Sequence, residues 1–354
     1  MPTTERYNGV NPDAVVNLAA TAQHSGATLQ ISYSDSNRAS QRITRPFIVF
    51  EGFDPDNSFG YADFERRIRD RSFFFNGVQD DFNGHLSAAD RGNYDLIFVN
   101  YHNGIDDIRR NAILAQEVIR WVNAQKLIAG STEQNILLGI SMGGLVARYG
   151  LAQMVRGNED SQVRLLITHD SPHRGANIPL GLQHLVRGVS KIYPLRFIIR
   201  DLHTAAKAIR SEAAKQMLLY RVDMDYPSPI PIPGATTVDK NRWLDTDYRP
   251  MVNIATPYRV IATSLGSECG EGIIRPGQEL LGVSGSGLVS IPYYGLVKAG
   301  LSLKLKVWAG SDDGSRNQVL DLQLFTEVRL FFNAIKVRIP IAGAWAKNEQ
   351  GALP

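Results

Sequence analysis

The chain has 354 residues, of which 44% are hydrophobic, so it can bury the core of one large domain or of a domain with insertions. Its 38 basic and 35 acidic residues give a net charge of +3, and without a long Lys/Arg run this balance argues against nucleic acid as a partner. The single cysteine, Cys269, excludes an internal disulfide and a multi-cysteine zinc site.

No apolar run approaches the roughly 20 residues of a membrane-spanning helix. Residues 1–10 are polar where a secretory signal would be charged and then apolar. We therefore expect a soluble chain with no transmembrane segment and no visible signal peptide. Its compartment stays unknown, with export an alternative if the N-terminus is incomplete.

Strand and helix patterns alternate after a polar start. Residues 1–45 are weakly patterned, and we interpret them as an N-terminal extension. The apolar run Phe47–Phe50 predicts a buried strand, and residues 94–101 predict another. A helix with apolar residues at helical spacing is predicted from about Asp107 to Ala124, and Gly130 lies where that segment stops.

The next segment repeats the alternation. Residues 135–138 predict a short buried strand, residues 145–151 a helix and residues 163–168 a further strand. Strands that alternate with helices indicate a mostly parallel sheet covered on both faces. We therefore assign residues 46–200 to an α/β core.

The pattern changes beyond Pro179. An amphipathic helix is predicted from Leu202 to Arg221 and a proline-rich loop at 226–233, so residues 201–257 are interpreted as a helical cap or lid insertion. A strand at 258–263 resumes the sheet. We interpret 258–354 as that strand plus a β-rich segment, because apolar residues alternate there with mostly polar ones: Leu301, Leu303, Leu305, Val307, Leu320, Leu322, Leu324, Ile335, Val337 and Ile339.

A glycine-framed serine lies between the strand at 135–138 and the following helix, in Gly139-Ile140-Ser141-Met142-Gly143. A nucleophile elbow puts its serine on a strained turn with an exposed hydroxyl, and glycines such as Gly139 and Gly143 prevent collision with the strand and helix. The pattern predicts Ser141 as a nucleophile. The alternative is an ordinary strand-to-helix turn.

An acyl-transfer site also needs donors for the oxyanion. In an elbow of this kind, one is the backbone N–H after the nucleophile and the other comes from the loop after an earlier strand. Met142 and Phe53 occupy those positions, and Gly52 before Phe53 lets the backbone approach a carbonyl. A plain strand-end turn is the alternative at Phe53.

Three segments carry a family resemblance: residues 50–55, residues 139–144 with Arg148 and Tyr149, and residues 170–175. They resemble α/β-hydrolase lipases and esterases and are similar to bacterial lipase-like and GPI inositol-deacylase-like members. The resemblance covers about residues 47–179, and it implies an α/β-hydrolase fold, serine ester hydrolysis without a cofactor and a small-molecule or lipid ester substrate. Glu51 and Ile140 stand where many of these lipases have histidine, so only the reaction type is carried over.

The general base is the missing part. In this fold the chain order is serine, acid, histidine, yet no histidine follows residue 203; the seven are His24, His85, His102, His169, His173, His184 and His203. One explanation is a C-terminally truncated chain. The other is a rearranged or lost triad, with His173 or His102 recruited from a loop, or with the domain kept as a catalytically silent binding module.

The acid also has alternatives. Asp170 follows the strand at 163–168 and is the first candidate. The alternative, of equal weight, is that its carboxylate caps the turn that follows the strand. Glu268 and Glu271 follow the strand at 258–263 and are the others.

His173 is a candidate base, but the resemblance places its Pro-His pair outside the triad, which favours a structural hydrogen-bonding role. His169 and His173 have the spacing of metal ligands on a helix, but Pro172 between them argues against that helix. No metal site is predicted.

Overall fold

A seven-stranded sheet organises the first of two units in the chain. In this computed structural model the residues described are 11–69, 73–75, 78–80, 93–189, 200–222, 238–264, 275, 277–289, 297–309, 316–330 and 333–347. The first unit comprises Met1–Arg174, Ser211–Met217 and Arg242–Leu265, and the second comprises Gly175–Arg210, Leu218–Asn241 and Gly266–Pro354.

The strands, in chain order, are β1 (Ala14–Leu18), β2 (Ala27–Ser32), β3 (Pro46–Phe50), β4 (Phe73–Phe75), β5 (Val78–Asp80), β6 (Asp95–Tyr101), β7 (Asn135–Ile140), β8 (Val163–His169), β9 (Tyr220–Val222), β10 (Val238–Lys240), β11 (Arg259–Thr263), β12 (Glu279–Val289), β13 (Val297–Trp308), β14 (Arg316–Leu330) and β15 (Asn333–Lys347). The helices are α1 (Tyr61–Arg69), α2 (Ile108–Ala129), α3 (Met142–Arg156), α4 (Leu180–Val189), α5 (Arg200–Arg210), α6 (Glu212–Met217) and α7 (Arg249–Val252), with a π-helical turn at Leu244–Tyr248.

The order of strands in the large sheet is β1-β2-β6-β3-β7-β8-β11. β2 runs antiparallel to β1 and β6, and every other neighbouring pair is parallel. β6 is buried along its whole length, as expected for a strand covered on both faces. This mostly parallel sheet with crossover helices has the α/β-hydrolase fold, which confirms the predicted fold class.

The main core packs α2 and α3 against the sheet, and a smaller cluster around Tyr61, Phe64 and Phe98 joins α1 to the sheet. α2 begins after Asp107, whose carboxylate accepts the backbone N–H of Arg109 over 2.8 Å, and ends at Gly130 with φ of 71°. It therefore runs five residues beyond the predicted end at Ala124.

The prediction of an N-terminal extension was wrong for residues 14–32, which contain β1 and β2 of the central sheet. β1 alternates half-buried and exposed residues, a short edge pattern that polar neighbours obscure in the sequence. The Asp95 carboxylate fastens the loop after β2 by accepting from the backbone N–H groups of Ser34, Thr44 and Arg45 and from the Asn37 amide, over 2.7–3.1 Å.

The predicted cap at 201–257 does not form one unit. The long helix expected from Leu202 to Arg221 is instead α5, α6 and strand β9. Ser211 separates the helices, since its hydroxyl accepts the backbone N–H of Ala214 over 3.2 Å, in the manner of a cap. Residues 211–217 and 242–257 belong with the large sheet, whereas 218–241 belong to the second unit.

The second unit contains an antiparallel sheet with the order β12-β13-β14-β15, which holds the residues predicted to alternate, and the short pair β9–β10. Its core includes Leu180, Tyr220, Val222 and Val307. Across both units, none of the helices described combines the length and apolar character needed to cross a bilayer.

Candidate active site

Ser141 sits in a strained turn between β7 and α3. Its backbone has φ of 51° and ψ of −119°, a conformation that side-chain-bearing residues rarely adopt. Although it occupies the position before the helix, its side chain makes no capping hydrogen bond. The hydroxyl is thus not used to stabilise the helix.

Glycines allow the turn to pack this tightly. A Cβ on Gly139 would lie 2.4 Å from Cα of Gly144, and one on Gly143 would lie 2.4 Å from the carbonyl oxygens of Phe50 and Glu51. Both distances are far below van der Waals contact, so a side chain at either position would push the strand and helix apart. This is the crowding that a nucleophile elbow creates.

The loop after β3 passes directly beside the serine. A Cβ on Gly52 would lie 3.2 Å from Cβ and 3.8 Å from Oγ of Ser141, so the backbone before Phe53 approaches the hydroxyl closely. Phe53 packs against the main core, and Met142 is buried as the first residue of α3. The first N–H groups of a helix have no partner within it, which leaves this end of α3 suited to bind an anion.

Two acidic side chains fix that loop. Glu51 is buried and accepts the backbone N–H of Tyr101; burial, and then the Glu51 charge, raise the pKa of the Tyr101 phenol well above its usual value. The Asp54 carboxylate accepts the N–H of Phe59 over 2.7 Å, while the Asp54 N–H donates to the carbonyl of Gly104 over 3.3 Å. The candidate oxyanion loop is therefore anchored to β6 through Glu51 and to Phe59 through Asp54.

Asp170 lies at the same sheet edge as Ser141. The Ser141 N–H donates to the carbonyl of His169 over 2.8 Å, and the Asp170 N–H donates to the carbonyl of Thr263 over 2.8 Å. Asp170 is exposed with φ of 48°. The His169 ring lies 3.0 Å, through Nδ1, from Oγ1 of Thr263. The other candidate acids, Glu268 and Glu271, fall outside the described residues.

His173 has both ring nitrogens engaged. Nδ1 lies 2.7 Å from the Tyr248 hydroxyl and Nε2 lies 3.1 Å from Oγ1 of Thr168. The ring stacks on Tyr248 with 6.1 Å between centroids and 19° between planes. Burial, aided by the positive charge of Arg148, lowers the pKa of His173 to about 4, so the imidazole is neutral at pH 7.

No described histidine is hydrogen-bonded to the Ser141 hydroxyl. His102 pairs with Oγ1 of Thr28 over 3.1 Å, and His24 pairs with the Glu117 carboxylate over 2.9 Å. Within the described ranges, no group of three His, Cys, Asp or Glu side chains could hold a metal ion. The structure thus brings together Ser141, the loop at Gly52 and Phe53, and Asp170, and pairs none of the described histidines with the serine hydroxyl.

The sequence did not indicate Tyr248 and Thr168, whose hydroxyl groups are hydrogen-bonded to the ring of His173. Thr168 is near His173 in the chain, but nothing in a strand-end threonine signals a bond to an imidazole five residues later. Tyr248 lies 75 residues away in the π-helical turn, so only the folded chain pairs them.

Comparison with known proteins gave matches among solved structures. No family model matches the chain, and no curated protein matches it. Among solved structures it is similar to EstE1, a thermostable carboxylesterase cloned from a metagenomic library, with 11% identity over 71% of this chain and 78% of that one and a TM-score of 0.35. It is also similar to an esterase of the archaeon Pyrobaculum calidifontis, with 13% identity, coverage of 71% and 75%, and a TM-score of 0.36.

A third similar structure is the esterase Est22, with 14% identity over 45% of this chain and a TM-score of 0.32. The match spans 44% of Est22, which is less than half of that protein. The resemblance to GPI inositol-deacylase-like enzymes and the idea of a truncated chain gain no support from these comparisons. The assignment of the fold rests on the strand order.

Proposed function

We propose that the chain is a serine hydrolase that cleaves carboxylic esters through an acyl-enzyme on Ser141. The observation that carries the proposal is the strained backbone of Ser141, φ 51° and ψ −119°, with Gly52 packed against its side chain. Strain of this kind persists in folded proteins mainly where function requires it. A serine that neither caps its helix nor relaxes to an ordinary conformation fits a nucleophile.

The reaction follows from the positions around Ser141. Its Oγ attacks the ester carbonyl, and the N–H groups of Phe53 and Met142 stabilise the negative oxygen of the tetrahedral intermediate. The intermediate collapses to an acyl-serine as the C–O bond breaks, and the proton from Ser141 leaves with the alcohol. Water then attacks the acyl-serine, releasing the acid and restoring the hydroxyl.

Asp170 is proposed as the acidic member of the site, because it lies at the strand end next to the carbonyl that receives the Ser141 N–H. The substrate is a small-molecule or lipid ester, since the proposed chemistry needs only a carbonyl and a leaving alcohol. Neither a cofactor nor a nucleic acid enters this scheme.

Hydrolysis of p-nitrophenyl esters from acetate to octanoate tests the proposal. We expect release of p-nitrophenol by the wild type and its loss in Ser141→Ala, with exposed Ser36→Ala as the matched control that retains activity. Removal of a nucleophile lowers kcat by several orders of magnitude. Hydrolysis that Ser141→Ala retains in full would contradict the proposed role of Ser141.

A second function is a catalytically silent module that binds a ligand or partner. It is favoured by one observation, that no histidine in the described ranges bonds the Ser141 hydroxyl. Such a module would release no p-nitrophenol from any ester of the series, and Ser141→Ala would leave its ligand binding intact.

A further inference from the structure

The contacts of His173 form a continuous path from the π-helical turn to the elbow. Tyr248 lies at one end, bonded to Nδ1 of His173 over 2.7 Å, and Thr168 accepts or donates at Nε2 over 3.1 Å. A neutral imidazole satisfies both hydroxyls at once, because one ring nitrogen carries a proton and the other a lone pair. This pair of bonds fixes the ring in position and orientation.

The turn that carries His173 presses on the first turn of α3. The backbone N–H of His173 donates to the backbone carbonyl of Ser171 over 2.8 Å. A Cβ on Gly144 would lie 2.0 Å from Oγ of Ser171 and 3.1 Å from Cβ of Thr168, so both residues already touch the helix backbone at Gly144. Gly144 in turn donates its N–H to the carbonyl of Ser141 over 3.1 Å.

The Tyr248 end is itself anchored to α3. Tyr248 stacks on Tyr149 with 6.2 Å between centroids and packs on Trp243 at 5.4 Å. The neighbouring Asp247 carboxylate accepts from the Tyr149 hydroxyl over 2.7 Å and from Nε1 of Trp243 over 3.0 Å. Consecutive residues of the π-helical turn thus hold α3 and His173 together.

From this path we propose that His173 is a positioning residue that clamps the 169–173 turn onto Gly144 and so fixes the first turn of α3, including the Met142 N–H, beside Ser141. The role in catalysis rests on the proposed ester hydrolysis, whereas the clamp itself does not. His173 acts through Gly144 and is not a proton acceptor for Ser141, since its two nitrogens are already bonded.

Amide hydrogen exchange measured by mass spectrometry tests the clamp without any activity. In folded His173→Gln we expect exchange of the peptide covering residues 141–148 to rise at least tenfold, and in the milder Tyr248→Phe and Thr168→Val to rise several-fold. Exposed Thr246→Val is the matched control, because it loses one hydrogen bond in the same π-helical turn, to the carbonyl of Arg242, that is not part of the path through His173. If exchange at 141–148 is the same in Tyr248→Phe and Thr168→Val as in Thr246→Val, the clamp is overturned.

The rate of labelling of Ser141 by a fluorophosphonate gives the catalytic readout. In Tyr248→Phe and Thr168→Val we expect labelling to slow at least fivefold with an unchanged pH profile, and in Thr246→Val to stay at the wild-type rate. A shift of the pH profile in Thr168→Val would assign His173 to proton transfer and overturn the positioning role. Absence of wild-type labelling together with raised exchange would refute ester hydrolysis while supporting the clamp.

Discussion

The backbone N–H of Ser141 donates to the carbonyl of His169 over 2.8 Å, which ties the elbow to the end of β8. The same strand end carries Thr168, Asp170 and, a turn later, His173. The conformation of the serine is therefore fixed from the sheet side as well as from the helix. Changes at the elbow are expected to affect stability and reactivity in opposite directions.

Ser141→Gly is expected to stabilise the protein by about 1 kcal/mol relative to Ser141→Ala. Glycine adopts a positive φ without strain, and the strain of 1–3 kcal/mol outweighs the roughly 0.5–1 kcal/mol of added chain entropy. Alanine keeps Cβ and with it the strain. Urea unfolding of the two variants measures the difference, and equal free energies of unfolding would show that Ser141 is unstrained.

Gly144→Ala is expected to destabilise the protein by about 2–3 kcal/mol, because the new methyl group overlaps the Ser171 side chain. Adding Ser171→Gly removes the overlapping atoms, so the double variant should recover at least about 1 kcal/mol of that loss. Chemical denaturation of the wild type, both single variants and the double variant gives the four free energies of unfolding of this double-mutant cycle. Strictly additive effects would contradict the contact between Gly144 and Ser171.

His173 should make stability depend on pH between about 6.5 and 4. Its pKa falls from an ordinary 6.5 to about 4 in the folded protein, so between these values the unfolded chain binds a proton that the folded chain does not. The free energy of unfolding is therefore highest above pH 6.5 and falls by roughly 2–3 kcal/mol as the pH decreases from about 6.5 to 4. In His173→Gln, denaturation curves from pH 7 to 4.5 should show a smaller loss; parallel losses in both proteins would contradict the low pKa.

Asp95→Asn tests whether residues 11–45 are part of the fold. The substitution places an amide donor where a carboxylate accepts from three backbone N–H groups and one amide, so we expect a loss of about 2–3 kcal/mol. Exposed Asp35→Asn serves as the control and should change stability by less than about 0.5 kcal/mol. Similar unfolding midpoints for the two variants would mean that this segment adds little to the fold.

Local signals made part of the fold predictable. Asp107 and Gly130 mark the ends of α2 through their own cap geometry, and Gly139 lies against Gly144, five residues further along the chain. Those features depend on residues close in the chain, so the sequence alone indicates them.

Features set by distant contacts were missed. β1 shows its alternation only once β2 pairs with it, and the break at Ser211 is a cap inside an otherwise continuous amphipathic pattern. The partners of His173 lie in separate elements, β8 and the π-helical turn. Periodicity carries no information about such pairs.

Intact-mass measurement after treatment with a fluorophosphonate tests whether Ser141 is an activated nucleophile. We expect a single adduct on the wild type and on Ser36→Ala, and none on Ser141→Ala. A peptide map should then place the adduct within residues 139–144. An adduct that forms equally on Ser141→Ala, or a wild type that stays unmodified, would contradict Ser141 as the activated nucleophile.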